Sequence, residues 1–433
     1  MTPRRRPYLA GHGDDSYRVV HYDLAVEYRP QTARLSGRAT IEAIADRPIT
    51  EVVLDFAALR AERVRVDATP VRHVHRDGKL RVRLARPVPA GAVFVVTVTY
   101  AGKPRPVRSH WGDVGWEELT DGALVASQPV GAPSWFPCND RPADKATYRI
   151  AVTAPGRYTV VANGRLVSRA VGAGATTWLY DQPVPMSTYL ATVQIGRYVP
   201  VVLSPGPVPQ DAAVPRRLVA AVRHDFGRQP AMVRTFVRLF GPYPFADYRV
   251  VVVDDELEVP VEAHGLSVFG ANHVDGRRGW ERLVAHELAH QWFGNSLTVA
   301  QWGDIWLNEG FAKYAEWLWS EESGGEPAAT HAARAWATVA AMPQDLCVAD
   351  PGVRRMFDER VYERGALTLH ALRRHLGDGP FVELLNEWTR TYRHGTVRTE
   401  QFEALAGRHA TRSTDGLFRA WLREPALPPL PTG

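Results

Sequence analysis

Polar and apolar positions change rhythm about halfway along the chain. Up to about residue 202 they alternate, with apolar side chains at every second position through 21–28 and 40–44. The runs 93–100 and 158–161 are β-branched and aromatic, and Asp77-Gly78 and Asn163-Gly164 supply turn signals between runs. This pattern predicts an N-terminal all-β domain over residues 1–202, an antiparallel sandwich or saddle-shaped sheet. A proline-rich stretch follows at 204–217, with Pro205, Pro207, Pro209 and Pro215, and reads as a linker or long surface loop. Beyond it the apolar positions recur at helical spacing, at about 226–240, 280–294, 307–322, 327–341, 362–376, 380–393, 399–409 and 415–423. Two strand-like runs, 248–253 and 265–269, interrupt the helices. The expected fold is α+β and multidomain, with a mostly α-helical second domain over 203–433 carrying a small sheet. Gly377 reads as a helix stop and Thr399 as an N-cap.

Composition narrows the class without changing this outline. A chain of 433 residues with 45% hydrophobic and 23% charged residues is long enough for two or three globular domains. The net charge of +5 includes Arg4-Arg5-Arg6 and the alternating 72–83 segment. No nucleic-acid-binding motif accompanies that charge, so a disordered tail and the solvated face of a hairpin are expected, with no nucleic-acid partner. Two cysteines, Cys138 and Cys347, provide no disulfide framework, although one bridge is open to them. No apolar run is long enough for a transmembrane helix. Gly11-His12-Gly13-Asp14-Asp15 falls where the apolar core of a signal peptide would lie, so the expectation is a cytoplasmic location without a membrane partner. A monomer is expected.

The chemistry concentrates in one helical stretch, 280–295. His286 and His290 are four residues apart and therefore share a helix face. Two neutral imidazoles so placed can share a Zn²⁺, and Glu287 beside them is a candidate general base. Glu309 follows His290 after 18 intervening residues, at the start of the next helical segment. The resulting His₂Glu set leaves a fourth tetrahedral position for water. Glu316, seven residues further on the same helical face, reads either as a partner to a ligand or as a solvated carboxylate.

The segments His286-Glu287-Leu288-Ala289-His290-Gln291-Trp292-Phe293-Gly294-Asn295 and Asn308-Glu309-Gly310-Phe311-Ala312 resemble the aminopeptidase N family of zinc peptidases, the gluzincins. Trp135-Phe136-Pro137-Cys138-Asn139-Asp140 is similar to that family's signature at the end of its β domain, and Tyr362-Glu363-Arg364-Gly365 to its Tyr-Glu-Lys-Gly element, with arginine for lysine. The resemblance runs from about Tyr17 to the last residues. It implies a thermolysin-like catalytic domain and one Zn²⁺ per chain, held by His286, His290 and Glu309. It also implies a metal-bound water deprotonated by Glu287, and Tyr362 donating to the oxyanion of the tetrahedral intermediate. Glu262, and Gln128 eight residues before Phe136, match positions that bind a substrate's free α-ammonium, so the implied partners are peptides with free N-termini.

The sequence departs from the family in two places. The glutamate loop reads Val259-Pro260-Val261-Glu262-Ala263, where only the glutamate is kept: Pro260 lacks a backbone N–H, and Val259 cannot allow the close approach a glycine would. The chain is also short, resembling forms without the family's C-terminal helical domain, so a more open cleft is expected. The leading reading is a zinc-dependent aminopeptidase. The alternatives are a zinc peptidase or hydrolase that needs no free amine, and a catalytically silent binding scaffold.

Overall fold

The computed structural model describes residues 8–431, so Arg4-Arg5-Arg6 lies outside the described residues. The alternating first half builds an eight-stranded sheet whose inward positions, including Tyr22, Leu24, Ile41, Val96, Val98 and Ile150, fill one core. Its pairings are antiparallel except where strand Tyr17–Arg29 runs parallel to strand Ala146–Pro155. A three-stranded sheet and a five-stranded sheet pack against the same core. The hairpin expected at Asp77-Gly78 joins strands His73–Arg76 and Lys79–Val88, and both turn residues take positive φ, as a type I′ turn requires.

The proline-rich stretch is a strand pair rather than a linker. Strand Tyr198–Ser204 pairs antiparallel with Gln210–Pro215, and these two start the five-stranded sheet of the second half. Pro205, Pro207 and Pro209 occupy the turn, where no ladder N–H is needed. The sheet continues through Tyr248–Val252 and Leu266–Phe269, which lie parallel to each other, and ends at a strand that alternation did not reveal, Val261–Ala263. That strand is too short for a period of two to register.

The helices of the second half are α1 (Val219–Asp225), α2 (Gln229–Phe240), α3 (Glu281–Ala289), α4 (Trp306–Glu322), α5 (Ala328–Ala340), α6 (Glu359–Leu376), α7 (Asp378–Thr391), α8 (Thr399–His409) and α9 (Asp415–Phe418). Asp358 caps α6 by accepting from the Arg360 N–H, and Gly377 ends it with φ of 86°. Thr399 is not the cap of α8 but its first residue. Its hydroxyl donates to Asp304 and accepts from the Trp306 indole, so the side chain serves tertiary structure. Cys138 and Cys347 are both free thiols.

Helix α3 ends five residues before its apolar period does. After Ala289 the Asn295, Ser296 and Leu297 N–H groups donate to the carbonyls of His290, Gln291 and Trp292, each reaching back five residues. The helix widens there into a π-like turn. Trp292 and Phe293 stay buried, which explains why the periodicity continues past the helix.

Candidate active site

Helices α3 and α4 pack together with His286 and His290 facing Glu309. The Glu309 Oε2 lies 3.6 Å from His286 Nε2 and 3.4 Å from His290 Nε2. One ligand atom from each of the three residues falls within a 4.8 Å span, and all three side chains are buried. Two nitrogens and one oxygen converging this closely suit Zn²⁺, so the residues present fit the metal. Burial works to raise the Glu309 carboxyl, but His290 and His286 pull it down to about 2, keeping it an anionic ligand.

Each imidazole is oriented from behind. His286 Nδ1 donates to Glu316 Oε1 at 2.9 Å, and Glu316 is itself paired with Arg282 and Lys313, each at 3.4 Å. Glu316 is therefore a partner to the ligand and not a solvated carboxylate. His290 Nδ1 donates to the Phe293 carbonyl at 3.0 Å. Both bonds place a proton on Nδ1 and leave Nε2 free for a metal.

Glu287 is buried and its Oε2 has no hydrogen-bond partner; burial pushes its carboxyl up. Tyr362, near the start of α6, lies against His286 with ring centroids 6.4 Å apart and planes 21° from parallel. Burial, and then the Glu309 charge, hold its hydroxyl well above the ordinary tyrosine range, so it is a proton donor. Glu262 sits in the edge strand Val261–Ala263, where Gln128 Nε2 from the β domain donates to its Oε1 at 2.7 Å. Its Oε2 lies 3.2 Å from His290 Nδ1, and burial raises its carboxyl to about 8. Every site residue expected from the sequence thus lies around one centre.

Three glycines make this convergence possible. Gly294 has φ of +126°, and a Cβ there would lie 2.8 Å from Glu262 Oε2 and 3.3 Å from His290 Nδ1. Gly310 and Gly365 face each other where α4 and α6 cross: a Cβ on either would come within 2.8 Å of the other's Cα. That close approach sets the distance between Glu309 and the helix carrying Tyr362. Sequence reasoning passed over this pair, although each glycine stands inside a site motif.

Arg364, the arginine that stands for lysine in the Tyr-Glu-Lys-Gly-like element, has a structural role that the motif does not reveal. Its guanidinium donates to the carbonyls of Ala420, Trp421, Glu424, Pro425 and Ala426, at 2.5–3.0 Å. It gathers the end of the chain onto α6, and burial lowers it to about 10. Nε and Nη1 each serve one carbonyl, and the two N–H groups of Nη2 are shared among three, a planar arrangement that the three tetrahedral donors of an ammonium cannot reproduce.

A β domain set against a helical domain with a buried His₂Glu centre defines a zinc metallopeptidase architecture. Models of the peptidase M1 N-terminal domain and the peptidase family M1 domain match residues 19–190 and 229–421. An M1 zinc metallopeptidase from Deinococcus radiodurans, solved as a glutamate-to-alanine mutant bound to a Tyr-Ser-Ala substrate, superposes with a TM-score of 0.90 at 30% identity. The match covers 99% of this chain and 100% of that one. The chain belongs to peptidase family M1. Mouse endoplasmic reticulum aminopeptidase 1 is 26% identical over 88% of this chain and 45% of its own length, so the chain spans about half of such curated relatives. Yeast LTA4 hydrolase shares the fold, with a TM-score of 0.83 at 20% identity over 99% of this chain and 72% of that one. No described helix is long and apolar enough to cross a membrane.

Proposed function

We propose that the chain is a zinc-dependent aminopeptidase that removes single residues from peptides with free N-termini. The observation that carries this is the Glu262 carboxylate, buried beside the ligand triad with Gln128 on one oxygen and no hydrogen-bond partner on the other. Burial raises this carboxyl to about 8 despite the His290 imidazole 3.2 Å from Oε2, and an α-ammonium placed against it would favour the anionic form and offset the cost of burying the charge. Glu262 therefore favours a peptide whose first residue, and no later one, reaches the metal. Strand Val261–Ala263 is the edge of its sheet, the position from which an extended substrate backbone can be paired.

His286, His290 and Glu309 would hold zinc, which when bound would supply Lewis acidity and lower the pKa of water at the site towards about 7. Glu287 accepts a proton at its unpartnered Oε2 and returns it to the leaving amine. Tyr362 keeps its proton and donates it as a hydrogen bond to the carbonyl oxygen as charge develops there. Glu316 and the Phe293 carbonyl hold the two imidazoles in the metal-binding tautomer.

The experiment compares a free peptide amide with its N-acetylated form. Hydrolysis of the free form alone, with acetylation reducing kcat/KM by at least about a hundredfold, supports the proposal. Equal cleavage of both supports a hydrolase that ignores the amine, the outcome that Pro260 and the exposed Val259 would favour. Purified protein that binds no zinc points to a silent scaffold.

A further inference from the structure

The carbonyl end of α3 receives a cation from the other half of the molecule. Lys145 precedes strand Ala146–Pro155 of the large β sheet, and its Nζ donates to Asn295 O at 3.1 Å, Ser296 O at 2.9 Å and Gly395 O at 3.2 Å. The first two carbonyls belong to the π-like turn that closes α3, and the third precedes strand Thr396–Val397, which pairs with Thr298–Val299 just beyond that turn. All three donors of the ammonium are used, and all three partners are backbone oxygens. Burial lowers Lys145 to about 7, and the three carbonyl dipoles aimed at its nitrogen favour the charged form against that pull. The base of Lys145 is fixed as well, because the neighbouring Asp144 carboxylate accepts from the Val19 N–H at 3.1 Å and from Asn139 Nδ2.

The same turn sets His290. Phe293 O, which holds the His290 Nδ1 proton, lies between the helix and the carbonyls that Lys145 gathers. Gly294, the next residue, is held by Tyr189 Oη at 3.1 Å and Thr298 Oγ1 at 2.6 Å, both donating to its carbonyl. A helix C-terminus carries partial negative charge, and a cation there is favourable. Here the cation reaches in from the β domain, and its loss would leave Asn295 O and Ser296 O without it at the point where the chain must turn.

We propose that Lys145 is a positioning residue for the metal site: its ammonium fixes the 293–296 turn and thereby the orientation of His290. The proposal rests on the reading of His286, His290 and Glu309 as zinc ligands.

The test uses the full chain carrying Lys145→Met, Lys145→Gln or Lys145→Arg, with zinc affinity measured by chelator competition. Steady-state kinetics and melting temperatures of the zinc-free and zinc-loaded forms are recorded alongside. Substitution of groups that orient metal ligands weakens metal binding about 10- to 100-fold, and one step further out roughly tenfold is expected for Lys145→Met. Lys145→Gln should behave like Lys145→Met, whereas Lys145→Arg, which keeps the charge, should stay within about threefold of wild type. The kcat should fall together with zinc affinity while KM changes little. If zinc affinity and kcat stay at wild-type values in Lys145→Met and only the melting temperature falls, Lys145 is a structural tie and the proposal is overturned. If Lys145→Met does not fold, the Lys145→Gln and Lys145→Arg pair decides, and equal zinc affinity in those two overturns it. Failure of the wild-type chain to bind zinc would remove the zinc reading itself, a result separable from every outcome among the variants.

Discussion

Gly365→Ala adds one methyl group where α4 and α6 cross. The new Cβ would lie 2.8 Å from the Gly310 Cα, against 3.4 Å for the nearest ordinary contact, so the helices must part by about 0.6 Å (3.4 − 2.8). Both sides of the clash are helix backbone, which cannot swing aside as a flexible side chain would. Overpacking of this kind costs about 1–3 kcal/mol. Alanine's better helix propensity offsets ~1 kcal/mol of this, which leaves a net loss of about 0–2 kcal/mol. Catalysis should suffer more than stability. Glu309 adjoins Gly310 and Tyr362 stands almost one turn before Gly365, so the parting separates Glu309 from Tyr362, the proposed oxyanion donor. A misplacement of ~1 Å costs about a hundredfold in rate, so about 0.6 Å should lower kcat roughly tenfold. The assay is kcat and KM on an aminoacyl p-nitroanilide together with thermal melting. Gly379→Ala is the control, because Gly379 lies in α7 with nothing within 4 Å of its Cβ position, and this variant should melt at or above wild type. A Gly365→Ala protein with wild-type kcat and a raised melting temperature would refute the close-approach argument.

Three further outcomes follow from single residues. Glu287→Gln removes the proton acceptor but no ligand, so metal analysis should still find one zinc per chain while kcat falls by about 10²–10⁴-fold; activity near wild type would sink the assigned role. Arg364→Lys leaves part of the five-carbonyl cluster without a donor and should cost about 2–4 kcal/mol by urea denaturation, far more than an exposed Arg-to-Lys exchange. Burial, reinforced by Arg373 and Arg374, lowers His370 to about 4 from an ordinary 6.5. The folded state therefore keeps it neutral while the unfolded chain takes up a proton. Stability is fully present above pH 6.5 and is lost as pH falls through about 4, so urea midpoints should drop across that window, and His370→Gln should make the drop shallower.

Much of the site was legible in the sequence because its chemistry is local. A spacing of four puts His286 and His290 on one helix face whatever surrounds them, and the next helical segment brings Glu309. Glu262 and Gln128 could be placed only by resemblance, since the strand that carries Glu262 has three residues and the hydrogen bond between the two joins positions 134 residues apart. The proline-rich hairpin was misread because proline is a turn signal, and strand pairing is fixed by a distant partner, here Tyr248–Val252. The end of α3 was placed late because a buried π-like turn keeps the apolar period of the helix it terminates.

By itself the sequence determined the alternation of the β half, the helices of the second half, and the residue types of a His₂Glu metal centre with a candidate carboxylate base beside it. Tertiary structure alone decided which groups orient that centre: Glu316 behind His286, the Phe293 carbonyl behind His290, the Gly310–Gly365 crossing, and Lys145 reaching in from the β domain. The physical reason is range. Helix and strand periods are fixed by bonds between near neighbours, whereas the orientation of a ligand depends on donors and acceptors that only the packing of separate elements brings within about 3 Å.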